Sequence, residues 1–117
     1  MMNKAVRVNI TQSFENTVED SILHLSPYSN EIQVIDKVEA LVSFFINKVE
    51  SNPYLYSRCA DLVRFGDVNI REFNRNDFRV LYEVAESNDE IIINVLLLLR
   101  QNQSIQKQLI DYCLIHK

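Results

Sequence analysis

The chain has 117 residues, 47% of them apolar and 24% charged, with a formal net charge of −4. This suits a single globular domain that buries its core without metal or disulfide staples, and it argues against disorder except at the ends. The acidic balance argues against a protein held to nucleic acid mainly through phosphates, and no apolar run is long enough for a membrane span or a secretion signal, so a cytoplasmic, membrane-free protein is expected.

Lys4 to Ile10 alternate, with Val6, Val8 and Ile10 on one side and Arg7 and Asn9 on the other, which predicts a half-buried strand. From Thr11 the period lengthens. Phe14, Val18, Ile22 and Leu25 recur every three or four residues, the stripe of an amphipathic helix that Ser26-Pro27 ends. Asn30 then offers a side-chain cap, with Gln33 placed to reach back, for a longer helix striped by Ile32, Ile35, Val38, Val42, Phe45 and Val49. Pro53 lies just past its end, where a ring that cannot continue the helix is tolerated. Neither helix is stable alone, so the two are expected to lie antiparallel with both stripes on a sheet.

An irregular stretch from Tyr54 to Asp67 holds the single glycine, Gly66, and Val68 to Phe73 alternate again as a strand. Asn74 to Asp77 turn into a hairpin. Its first arm is Phe78 to Val84, rich in β-branched and aromatic residues, Ala85 to Asp89 supply its turn, and Glu90 to Arg100 form an almost wholly apolar second arm. These three strands read as an antiparallel meander. Burying each of Ile91, Ile93, Val95, Leu97 and Leu99 contributes about 1.5–3 kcal/mol, so the last strand is expected at the centre of the sheet. Ser104 to His116, with Ile105, Leu109, Tyr112 and Cys113 at helical spacing, predicts a closing helix. The fold class is α+β, one domain over residues 1–117 in the order β-α-α-β-β-β-α.

Few catalytic templates fit. One glycine removes any Gly-rich phosphate loop, no serine sits in a nucleophile elbow, and neither His24 and His116 nor Cys59 and Cys113 stand at metal-ligand spacing. No metal and no cofactor are expected. His24 reads as a surface residue at a helix end, and the cysteines as buried thiols rather than a disulfide. Six of the seven arginines follow position 57. They pair with the acids interleaved among them on a solvated face, or else Arg71, Arg79 and Arg100 converge on the sheet face away from the helices as an anion-binding concavity. Alternation puts Arg79 on one face with Leu81 and Glu83, opposite Phe78, Val80 and Tyr82.

A helical hairpin ending in Glu50-Ser51-Asn52-Pro53, then Ile70-Arg71-Glu72-Phe73, Phe78-Arg79-Val80-Leu81-Tyr82-Glu83-Val84 and Ile92-Ile93-Asn94-Val95-Leu96, resembles the RelE/ParE superfamily of toxins from bacterial type II toxin–antitoxin systems. The resemblance runs through nearly the whole chain in element order. It implies one of two actions. RelE-like members are ribosome-dependent mRNA endoribonucleases whose arginines hold the scissile phosphate while a Tyr, Lys or His assists proton transfer; ParE-like members lack that set and poison DNA gyrase. Arg79 and Arg100 match arginine positions of the nuclease pattern. Leu97 stands where many relatives carry His, and Gln101, Asn102, Gln103 and Gln106 fill the region where the nuclease Tyr is expected, leaving Tyr112 further on. The resemblance therefore implies a gyrase-directed or otherwise non-nucleolytic toxin, and the anion-binding concavity makes Arg71, Arg79 and Arg100 its candidate binding residues. The alternatives are a RelE-like nuclease using Arg79, Arg100 and Tyr112, and an inactive homologue. A cognate antitoxin is also implied, laid along the helical hairpin and sheet in a hetero-oligomer. Phe44, Ile46, Leu109 and Tyr112 are its candidate landing points, or else they pack within the monomer or against a second copy.

Overall fold

The computed structural model describes residues 4–60, 69–103 and 107. Strand β1 (Ala5–Ile10) leads into α1 (Gln12–Leu25), a 3₁₀ turn (Ser26–Tyr28) and α2 (Glu31–Ser51), and β2 (Ile70–Arg75), β3 (Phe78–Glu86) and β4 (Glu90–Arg100) follow. The four strands form one sheet in the order β1-β4-β3-β2, with β1 parallel to β4 and the other pairs antiparallel. The α+β class, the element order through β4 and the central place of β4 match the sequence reading. Val68 and the expected helix over 104–116 lie outside the described residues, except that Lys107 is helical.

Local chemistry sets the boundaries. Thr11 caps α1 by accepting from the Phe14 N–H, and Asn30 caps α2 through the Ile32 N–H. Asn76 and Asp77 join β2 to β3 with φ of 51° and 68°, a two-residue turn of the left-handed kind that these side chains tolerate.

The helices pack on one sheet face over Phe73, Phe78, Val80, Tyr82, Ile93, Val95 and Leu98. On α2 the buried line is Val34, Val38, Leu41, Phe45 and Val49, one step round from the predicted stripe. Ile32 is 69% exposed, and Ile35 and Val42 are half-buried. Both lines are apolar, and the sheet selects the one that carries Phe45 onto Phe73 and Tyr82, with ring centres 5.3 and 5.1 Å away. On α1, Phe14, Thr17 and Ser21 are buried, while Val18, Ile22 and Leu25 turn part-way toward α2. Ile10, at the end of β1, stays 37% exposed.

The hydroxyls of α1 have a reason. β1 stops pairing with β4 at Val95, which leaves the next stretch of β4 without a strand on that side. Thr11 Oγ1 donates to the Val95 carbonyl (2.7 Å), Ser13 Oγ donates to that of Leu96 (2.9 Å), and the Leu98 N–H donates to Thr17 Oγ1 (2.9 Å). A helix thus supplies the bonds that a strand would otherwise make.

Opposite the Leu81–Tyr82 junction β4 is irregular: Leu81 pairs with Leu97 and Tyr82 with Val95, so Leu96 is one residue extra. This shift ends the simple alternation expected of β4. Leu97, Leu98 and Leu99 are buried in succession, on alternating faces, and Ile91 is only half-buried. The face away from the helices gathers Cys59, Ile70, Leu81, Leu97 and Leu99. Residues 57–59 cover the outer edge of β2, where the Cys59 N–H donates to Ile70 and the Glu72 N–H to Ser57. The outer edge of β1 carries no strand among the described residues.

Candidate functional site

The three predicted binding arginines do not converge. Arg71 stands on the helix side of β2, where its Nη1 donates to the Tyr56 carbonyl at 2.6 Å and its guanidinium lies 5.0 Å from the Tyr54 ring. Arg79 stands on the opposite face, as alternation requires, with Leu81 and Glu83. Its Nε donates to Glu72 Oε1 at 2.8 Å, its Nη2 is ion-paired with the same oxygen, and the two side chains are only 16% and 17% exposed. Asn74 Nδ2 donates to the other Glu72 oxygen, and Cys59 Sγ lies 3.7 Å from Oε1. Glu72, Arg79, Asn74 and Cys59 therefore form a closed polar cluster on the far face, in which the Arg79 guanidinium faces a protein carboxylate.

Arg100 pairs with Phe78 across β3–β4 and so lies on the helix side. It lines a cleft of about 620 Å³ with His24 and Leu25 of α1, Lys37 of α2, Asn76, Asp77 and Phe78 of the β2–β3 hairpin, and Gln101 to Gln103. Gln103 holds the Arg100 backbone from both sides, accepting from its N–H at 2.8 Å and donating to its carbonyl at 3.0 Å. The Gln101 N–H donates to the Asp77 carbonyl at 2.8 Å and closes one wall. Among the described residues the Arg100 Nη1 is buried without a hydrogen-bond partner. Burial pushes its pKa below the ordinary arginine range, and nearby Asp20 partly opposes that shift. No sequence pattern marks Lys37 or His24 as a binding residue, because they come to Arg100 only through helix packing.

Of the antitoxin candidates, Phe44 and Ile46 are half-buried and pack against the core. The Phe44 ring stacks on Phe73 at 6.0 Å, and Arg75 and Lys48 lie over it at 3.9 and 5.4 Å. Leu109 and Tyr112 lie outside the described residues. A second groove of about 370 Å³ runs between the helices, floored by Ile10, Phe14, Val18, Val38 and Val42 and rimmed by Glu15, Glu19 and Glu39. The sequence places Ile10 on a half-buried strand and Val18 in an amphipathic stripe, and neither pattern marks a groove. Among the described residues no helix is long and apolar enough to cross a membrane, and no three His, Cys, Asp or Glu side chains gather as a metal-ligand set.

Over residues 8–105 the sequence matches the family described as "ParE toxin of type II toxin-antitoxin system, parDE". No curated protein matches the chain.

Proposed function

The chain belongs to the ParE toxin family, the toxin half of a type II toxin–antitoxin module, and we propose that it arrests growth by a non-nucleolytic action on DNA gyrase and is neutralised by its cognate antitoxin. One observation carries the non-nucleolytic part. Arg79 and Arg100, the two arginines that match the nuclease pattern, stand on opposite faces of the sheet, and Arg79 is occupied by Glu72. Two guanidiniums on opposite faces cannot clamp one phosphate. A purified chain, free of antitoxin, is expected to inhibit gyrase supercoiling and to leave mRNA intact on translating ribosomes; cleavage of mRNA with supercoiling untouched would reverse the assignment.

For neutralisation, the inter-helical groove lies beside the edge of β1 that carries no strand among the described residues, the two meeting at Ile10. An antitoxin segment with apolar anchors fits the floor, and basic flanks meet Glu15, Glu19 and Glu39. Phe44 and Ile46, already packed against the core, are secondary to that groove in this reading. The toxin and antitoxin then form a hetero-oligomer.

A further inference from the structure

We propose that the cleft at the end of the sheet is a receptor for a single carboxylate of a partner protein, held by Arg100 and Lys37. This stands on the cleft alone and does not depend on gyrase being the target.

The starting observation is an interrupted pattern. Along α1 and β4 the hydroxyl–backbone bonds advance in step, Thr11 to Val95, Ser13 to Leu96 and Thr17 to Leu98. Ser21, one helical turn on, is the next hydroxyl on that buried face. There the progression stops. Ser21 Oγ and Arg100 Nη1 are the buried side-chain polar atoms without a hydrogen-bond partner among the described residues. Burial of Nη1 holds the guanidinium partly out of water, which strengthens what its remaining donors offer to the cleft that Arg100 lines. Arg100 opens into a cleft large enough for a side chain, its backbone pinned by Gln103.

The lining selects the ligand. Arg100 and Lys37 offer two cations from different elements, and the Lys37 ammonium lies 5.9 Å from the Phe78 ring centre. Asn76 and Gln101 to Gln103 add amides suited to a peptide backbone, and Leu25 and Phe78 add apolar surface. A carboxylate accepts charge-assisted bonds from such a set. A strand of successive phosphates fits poorly, because Asp77 is in the lining, Asp20 lies near Arg100, and the whole chain is acidic.

The test is a nuclear magnetic resonance titration of the full-length chain with the peptide Ac-Ala-Glu-Leu-Ala-NH2, its Gln counterpart and a short single-stranded oligoribonucleotide. The Glu peptide is expected to shift His24, Lys37, Phe78 and Arg100 to Gln103, and the Gln peptide to bind at least about tenfold more weakly, as for the loss of a charge-assisted contact. Arg100→Gln and Lys37→Gln should each weaken the Glu peptide by a similar factor. Lys37 is exposed, so its replacement carries the test even if Arg100→Gln does not fold. Equal binding of the two peptides, shifts elsewhere, indifference to Lys37→Gln, or tighter binding of the oligonucleotide at the same residues would each overturn the proposal.

Discussion

Replacing Thr17 by Val tests whether α1 hydroxyls stand in for a missing strand. Thr17 is 3% exposed; its Oγ1 accepts from the Leu98 N–H at 2.9 Å and donates to the Phe14 carbonyl at 2.8 Å. Val keeps the shape and removes both bonds, which leaves the Leu98 N–H buried and unpaired at a cost of about 1–3 kcal/mol. The new methyl returns at most about 0.8 kcal/mol. A net loss of about 1–2 kcal/mol follows, and for a domain of this size it lowers the melting temperature by roughly 4–8 °C. Ser21→Ala, one turn along the same face, should go the other way: its hydroxyl has no partner among the described residues, so removing it relieves a desolvation cost and improves helix propensity. Thermal unfolding by circular dichroism reads both changes, and hydrogen exchange at the Leu98 amide reads the local one. A Thr17→Val protein that melts with the parent and keeps its Leu98 amide equally protected would refute the argument.

Arg79→Met should destabilise by about 3 kcal/mol in urea unfolding, because it leaves the Glu72 carboxylate largely buried without its cation, and the double change Glu72→Gln with Arg79→Met should recover most of that loss; a single variant as stable as the parent would show the pair to be inert. Tyr82 is fully buried, and desolvation pushes its phenol up to about 12 from the ordinary value near 10. A raised pKa means that its contribution is intact below pH ~10 and is lost as pH climbs toward about 12, so Tyr82→Phe should flatten the alkaline fall in stability, measured by denaturant titration at several pH values. Val42→Glu, which puts a charge on the floor of the inter-helical groove beside three glutamates, should weaken capture of the cognate antitoxin in calorimetry while growth arrest persists; unchanged affinity would move the antitoxin elsewhere.

Elements with a local cause were legible in the sequence. Asn30 announces the start of α2, the alternation at Val6 and Val8 reports β1, and Asn76-Asp77 marks a turn whose positive φ values those residues tolerate. Choices made by packing were not. Val38, Leu41 and Val42 are all apolar, so periodicity alone did not decide whether Leu41 or Val42 faces the sheet; the position of Phe45 among Phe73, Tyr56 and Tyr82 decided it. Nor did the sequence say where β1 goes. Its parallel pairing with β4 joins residues about 85 positions apart, for which no turn supplies a signal. A stripe of apolar residues ignores the hydroxyls of Thr17 and Ser21, yet theirs is the face buried against β4.

The arginines show how one residue decides a site. In antiparallel strands paired residues share a face, and from Tyr82–Val95 an unbroken register would continue to Arg79–Leu98 and bring Arg100 opposite Asp77, on the same face as Arg79. The extra residue at Leu96 changes the pairing to Arg79–Leu99 and Phe78–Arg100. That single shift carries Arg100 through the sheet to the helix side, toward Lys37 and His24, and leaves Arg79 to Glu72. It also turns the Leu96 carbonyl to Ser13 and the Leu98 N–H to Thr17, so the helix that covers β4 holds the irregularity in place. A run of four leucines carries no sign of where a bulge falls, because each fits either face equally well. The distinction between a two-arginine phosphate clamp and two separate arginines with different partners therefore rests on α1 hydroxyls more than eighty residues upstream, and a substitution that erased the bulge would restore the shared face without altering either arginine.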